Sequence, residues 1–116
     1  MAGVISSSNF PRDYKSNTTC VWKISVNTAN QITLNFTDFE LENSSRCERA
    51  YVQVYDGPNT TDPSLGTFCG SEIPPGVRSS GNHMLVVFQA YRGNNFKGFR
   101  AYYDSGKYLR RIFLHC

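Results

Sequence analysis

The 116 residues are 40% hydrophobic and 14% aromatic, which fits one folded domain and excludes a disordered chain. The net charge of +3 equals the contribution of Lys107, Arg110 and Arg111, so the rest of the chain is neutral and lacks the basic surface that nucleic-acid binding requires. No apolar run approaches the roughly 20 residues of a membrane span. The N-terminus also lacks the basic and hydrophobic regions of a signal peptide, which we expect to lie outside this chain.

Short segments rich in β-branched and aromatic residues predict strands along the chain. The pattern is clearest where Ile32, Leu34 and Phe36 alternate with polar residues, because that alternation gives one face for the core and one for solvent. The other predicted strands are residues 21–26, 51–55, 65–68, 84–88 and 99–103, separated by turn-rich segments. No stretch has a helical pattern. The sequence therefore predicts an all-β sandwich.

Four N-glycosylation sequons and an even number of cysteines indicate passage through an oxidising compartment. The sequons begin at Asn17, Asn35, Asn43 and Asn59, and the chain has four cysteines. We therefore predict a secreted or extracellular protein, or the ectodomain of a larger one. Because a glycan is too bulky for a packed interior, all four asparagines are predicted to be exposed, with Asn35 on the polar face of its strand.

A catalytic site is not expected. A nucleophile needs a base within hydrogen-bond reach, and the base needs an orienting partner. The chain has only two histidines, His83 between a turn and a strand, and His115 near the C-terminus. The spacing of the cysteines and histidines does not suit a zinc site either.

Motifs spread over residues 1–103 carry a family resemblance. They are Gly3-Val4-Ile5-Ser6-Ser7-Ser8-Asn9-Phe10-Pro11 with Tyr14, Cys20-Val21-Trp22-Lys23-Ile24, the pattern from Ile32 to Glu42, Ser79-Ser80-Gly81-Asn82, the apolar residues Met84, Val86 and Phe88, and Gly98-Phe99-Arg100-Ala101-Tyr102-Tyr103. Read in order, they resemble a CUB domain, in the superfamily that includes the spermadhesins. The resemblance implies a jelly-roll-like sandwich of two antiparallel sheets, used outside the cell for recognition. It assigns residues 1–104 to the domain and leaves 105–116 as an added strand, the beginning of a following segment, or a foreign sequence.

The resemblance also implies a disulfide framework. Cys47 and Cys69 match the second bridge of the family. The first family cysteine, which bonds to the counterpart of Cys20, would precede the first residue of this chain. A replacement bridge from Cys20 to Cys116 stays open, because it requires the two Cα atoms to lie within roughly 7 Å.

Many family members hold a calcium ion with three acidic side chains at one end of the sandwich. Glu42 keeps the first of these positions, but Ala50 and Tyr91 occupy the other two. Calcium takes six to eight oxygen ligands, with carboxylates balancing its charge. We therefore expect no calcium and no other cofactor.

The leading functional hypothesis is a noncatalytic module that binds an extracellular protein partner through loops at that end. The candidate residues are Tyr14, Glu42, Tyr91 and Arg92, since aromatic and Arg side chains make good anchors. A second hypothesis is a spermadhesin-like secreted protein that binds carbohydrate or heparin. A third is a regulatory domain cut from a larger secreted protease or receptor.

Overall fold

The computed structural model describes residues 2–7, 9–14, 17–91, 96–105 and 109–115. Within these residues the chain forms nine strands and no helix: β1 (Ala2–Ser6), β2 (Thr18–Val26), β3 (Thr33–Glu40), β4 (Ala50–Tyr55), β5 (Ser64–Phe68), β6 (Val77–Arg78), β7 (His83–Ala90), β8 (Gly98–Asp104) and β9 (Leu109–His115). They form two sheets, with the orders β1-β8-β3-β6 and β5-β4-β7-β2-β9. Every described pair is antiparallel, which confirms the predicted two-sheet sandwich.

The core lies between the sheets and is built from the alternating apolar residues of the strands. In β2 the side chains of Cys20, Trp22, Ile24 and Val26 are buried while the residues between them are partly exposed. Phe99 of β8 is fully buried and meets rings from both sheets edge to face, including Trp22 and Phe88 with centroids at 5.5 Å and Phe36 at 5.9 Å. Such aromatic pairs add to the stabilisation that burial provides.

The strand β3 departs from simple alternation. Leu34 and Phe36 are buried and Asn35 is exposed, as predicted. The register on β8 then shifts between Phe36 and Asp38. An extra residue in one strand turns the following side chains to the other face, so Phe39 is buried as well. The rings of Phe36 and Phe39 contact each other edge to face, with centroids 5.4 Å apart.

The six strands predicted from sequence are present, and the structure adds β1, β6 and β9. The last of these pairs with β2 from Val21 opposite His115 to Val26 opposite Leu109. Residues 109–115 therefore form an edge strand of the five-stranded sheet, and the status of the tail 105–116 stays a prediction. The boundary at residue 104 stays a prediction.

The second disulfide prediction concerns Cys20 and Cys116. Cys20 is fully buried and is not a free thiol, whereas Cys116 lies outside the described residues. Val21 faces His115 across the sheet, and their sequence neighbours are Cys20 and Cys116. The register supports the bridge, which stays a prediction.

Candidate functional site

Loop residues surround Glu42 at one end of the sandwich, which we call the Glu42 end and define by Tyr14, Glu42, Arg49, Ala50 and Tyr91. Glu42 follows β3, while the start of β4 and the finish of β7 meet there because Ala50 pairs with Ala90. The Tyr91 N–H donates a hydrogen bond to the Arg49 carbonyl at 3.0 Å. The structure thus brings together three of the four predicted residues, and Arg92 lies outside the described residues.

Tyr14 supports this end from inside. Its side chain is 2% exposed, and its ring contacts Phe88 edge to face at 5.5 Å and Phe96 in a stacked arrangement at 6.3 Å. The phenolic oxygen accepts a hydrogen bond from the Glu42 N–H at 3.2 Å. Burial raises the pKa of Tyr14, and this backbone hydrogen bond acts in the opposite direction. Tyr14 therefore positions the Glu42 backbone and has no surface for direct contact with a partner.

Glu42 carries a carboxylate that is mostly buried and only partly satisfied. Its Oε2 accepts a hydrogen bond from Nη1 of Arg49 at 3.0 Å, and its Oε1 is buried with no partner among the described residues. The Glu42 side chain is 16% exposed and that of Arg49 is 56% exposed. A buried charge requires a counter-charge, which here comes from a guanidinium whose outer side faces solvent.

Sequence reasoning missed Arg49. The available signal was a cation directly before Ala50, the position where an acidic residue is absent. That signal cannot show which carboxylate the guanidinium reaches, because Glu42 and Arg49 share the loop 41–49 and no local pattern sets the path of that loop.

Aromatic side chains extend the surface beside Arg49. Tyr91 is 52% exposed, and Tyr51 of β4 is partly buried next to it. The pKa of Tyr51 is raised, and burial is the largest cause. Electrostatic interactions with Tyr91 and Tyr55 and a hydrogen bond with Tyr91 raise it further. Arg49, Tyr51 and Tyr91 thus form a contiguous rim of the residue types that serve as anchors in protein interfaces.

The residues at the Glu42 end do not fit a calcium ion. Ala50 is fully buried and has no side-chain oxygen, Tyr91 offers only a phenol, and Oε2 of Glu42 is already bonded to Arg49. The orphaned Oε1 is a single ligand, far below the six to eight that calcium takes. Nowhere in the described ranges do three His, Cys, Asp or Glu side chains cluster to hold a metal.

The disulfide predicted between Cys47 and Cys69 is present, with the Cα atoms 5.5 Å apart. It joins the loop before β4 to the residue after β5. The short segment that carries Arg49 is therefore held at Cys47 by the disulfide and at Ala50 by β4.

The histidines do not build a catalytic site in the described part of the chain. The Ser25 hydroxyl and Nδ1 of His83 are 2.9 Å apart, where β2 pairs with β7. No carboxylate among the described hydrogen bonds orients the His83 ring, and such a third group is what a Ser–His nucleophile requires.

All four sequon asparagines are exposed, as predicted. Asn17 and Asn43 flank the Glu42 end, Asn59 is in the turn after β4, and Asn35 is within β3. Their modification stays a prediction.

Comparisons with known proteins agree with this architecture. The CUB domain profile matches residues 1–103. Human cubilin is 41% identical over 100 residues, covering 85% of this chain and 3% of cubilin. An astacin-like metalloendopeptidase from Coturnix japonica is 40% identical over 111 residues, covering 95% of this chain and 27% of the enzyme.

A solved structure of the CUB1-EGF-CUB2 domain of human MASP-1/3 superposes with a TM-score of 0.81 at 36% identity, covering 90% of this chain and 41% of the other. The chain thus spans less than half the length of each of these three matched chains. The residues described contain no helix of the length and apolarity that crossing a membrane requires.

Proposed function

Because the chain belongs to the CUB domain family, we propose that it is a noncatalytic extracellular recognition module that binds a protein partner through the Glu42 end. The observation that carries this proposal is the exposed Arg49 guanidinium, held by a buried carboxylate. The pair fixes the orientation of a flexible side chain before binding, which lowers the entropic cost of association.

The partner chemistry follows from the same group. A guanidinium has five N–H donors, and one N–H of Nη1 donates to Oε2 of Glu42. The outer donors therefore suit a second carboxylate in a bidentate arrangement. Tyr91 and Tyr51 beside it suit an apolar or aromatic contact. We therefore expect a partner with an acidic side chain set next to an apolar one.

The test is capture of partners from extracellular fluid by the glycosylated domain, followed by an affinity measurement on the identified protein. Arg49→Ala with Tyr91→Ala should lower the affinity at least 100-fold, since interface anchors cost about 2 kcal/mol or more each. Arg78→Ala with Tyr102→Ala is the matched control, because both residues are exposed but lie away from the Glu42 end. Equal affinity of the two double variants would refute the proposal.

We further propose that this recognition does not depend on calcium. The Arg49 cation takes over the role of balancing the Glu42 charge. Millimolar calcium should leave the melting temperature unchanged, and a chelator should leave partner capture unchanged. Ala50→Asp with Tyr91→Asp and Arg49→Ala should create a site, and calcium at 100 times its Kd would stabilise that variant by about 2.7 kcal/mol. A calcium-dependent melting shift in the unmodified chain would contradict this.

One observation favours glycan binding as a second candidate. The net positive charge of the chain lies in the tail, and β9 places Arg110 and Arg111 on the edge strand of the five-stranded sheet. Retention on a heparin column that is lost in Arg110→Ala with Arg111→Ala, but not in Arg49→Ala, would favour it. A regulatory domain of a larger protease is compatible with either binding mode.

A further inference from the structure

Among the residues whose exposure the structure describes, the outer face of the four-stranded sheet is polar except at one place. Val4 of β1 is 64% exposed and Tyr102 of β8 is 44% exposed. The outward residues before and after Tyr102 on β8 are Arg100 and Asp104, both exposed. Two large apolar side chains side by side on a solvent face leave apolar surface that a covering group would remove from water.

The strand register places a sequon beside this apolar pair. Val4 is opposite Tyr102 on one side, and Asn35 is opposite Tyr102 on the other. The three side chains form one row across β1, β8 and β3. Strands lie about 4.8 Å apart, so Val4 is about 10 Å from Asn35 with the Tyr102 ring between them.

On the side away from Tyr102, Asn35 faces Gly76 and has less space. A Cβ built on Gly76, in the segment leading to β6, would collide with Oδ1 of Asn35. The side of Asn35 towards β6 is therefore occupied by its own carboxamide. A group attached to that carboxamide has room outward and towards Tyr102.

We propose that an N-glycan on Asn35 packs its first sugars across Tyr102 and Val4. A pyranose ring has one face made mostly of C–H groups, which can cover an aromatic ring and a Val side chain and remove their apolar surface from water. The glycan thereby stabilises the folded sheet as well as solubilising it. It also shields an edge strand that would otherwise present an apolar side chain to a second chain.

Asn59 provides an internal comparison. It is exposed in the turn between β4 and β5, and none of the exposed large hydrophobic residues lies in that turn. A glycan there has no exposed large hydrophobic residue of its own turn to cover. The proposal therefore predicts different energetic effects for two glycans of the same composition.

The test uses chains expressed in glycosylating cells with one sequon each. Thr19→Ala, Ser45→Ala and Thr61→Ala leave only the Asn35 sequon, and Thr19→Ala, Thr37→Ala and Ser45→Ala leave only that of Asn59. Melting temperatures are compared before and after enzymatic trimming to one N-acetylglucosamine and after complete removal. The Asn35 glycan should raise the melting temperature by about 4 °C, much of it retained by the single sugar, and the Asn59 glycan by less than about 1 °C.

Tyr102→Ser separates the packing from other effects of glycosylation. Each variant is compared with its own deglycosylated form, so a change in basal stability cancels. The substitution should remove at least half of the effect of the Asn35 glycan, and Tyr91→Ser should not change it. In NMR spectra, the N-acetyl methyl of the first sugar should show an upfield ring-current shift that Tyr102→Ser abolishes.

Three results would overturn the proposal. The first is an unmodified Asn35 in protein from those cells. The second is a glycan effect equal in the Tyr102→Ser and parent backgrounds. The third is a concentration-dependent dimer of the glycosylated chain that Tyr102→Ser disrupts, because a second copy would then be the covering group.

Discussion

Two carboxylates at opposite ends of β4 are treated very differently by the fold. Asp56, just after β4, accepts hydrogen bonds from the Ser80 N–H at 2.8 Å and from the Ser80 hydroxyl at 2.7 Å. Glu42, beside the start of β4, has a buried Oε1 without a described partner and an exposed arginine as its counter-charge. We call the region formed by Asp56, Ser79 and Ser80 the Asp56 end.

The difference separates an end whose polar groups are paired within the fold from the end that we propose binds a partner. At the Asp56 end the chain satisfies its own polar groups, and Ser79 there adds a hydrogen bond from the Ile32 N–H to its hydroxyl at 2.8 Å. At the Glu42 end polar capacity is left over and a cation points outward. Groups whose hydrogen-bonding capacity is incompletely used within a fold are candidates for use by a ligand.

The largest expected effect comes from the Cys47–Cys69 disulfide, which holds the loop of the Glu42 end. Cys47→Ser with Cys69→Ser should lower the free energy of unfolding by about 3 kcal/mol, because the bridge closes a loop of 22 residues. Urea unfolding measures this loss. Arg46→Ala with Ser71→Ala, exposed positions near the two cysteines, should change stability little. Equal stability of the cysteine variant would contradict the structural role of the bridge.

The next effect tests the Asp56 end. Asp56→Ala should cost about 1.5 kcal/mol of unfolding free energy, since it removes two hydrogen bonds to a charged acceptor that is partly exposed. A double-mutant cycle with Ser80→Ala by chemical unfolding isolates the side-chain bond. Additive losses in the cycle would mean that the two residues act independently. Partner binding should be unaffected by either substitution.

Tyr14→Phe should cost about 1 kcal/mol at neutral pH, because it removes the acceptor of the Glu42 N–H in a buried place. Burial raises the pKa of Tyr14 above its usual 10.0, so the folded state favours the neutral phenol. This contribution to stability is fully present below pH 10.0 and is lost as the pH rises through the folded-state pKa.

Unfolding measured at neutral pH and above pH 10 should therefore show the gap between the parent chain and Tyr14→Phe closing. Tyr103, whose pKa burial also raises, is present in both chains and cancels from the comparison. A gap that widens at high pH would contradict this, because it would show that folding lowers the pKa of Tyr14 instead of raising it.

The smallest effect on stability is expected at the Glu42 carboxylate. Glu42→Gln should change the unfolding free energy by less than about 0.5 kcal/mol, because Arg49 is more than half exposed and such ion pairs contribute little. Partner affinity should fall about tenfold, since the guanidinium loses its fixed orientation. Glu48→Gln, at an exposed site in the same loop, is the control. A large stability loss with unchanged binding would make Glu42 a structural residue like Asp56.

Much of the fold follows from local patterns in the sequence. Alternation at Ile32, Leu34 and Phe36 gave a strand with the correct buried face, and the motifs gave the family and the Cys47–Cys69 bridge. β6 escaped prediction because two residues cannot establish a period, and β1 because its pattern is brief. The surface exposure of Asn35 also followed from the period of two.

By itself the sequence determined six of the nine described strands, the apolar faces of those strands, and which cysteines and sequons are present, since these depend on neighbours along the chain. Only the tertiary structure decided that Arg49 binds Glu42, that Tyr14 is buried beneath them, that β9 joins β2, and that Asn35 stands beside Tyr102. Arg49 and Glu42 meet within one folded loop, and the other contacts join residues on different strands or loops. They depend on sheet order and register, which loop closure and packing set together and no local pattern contains.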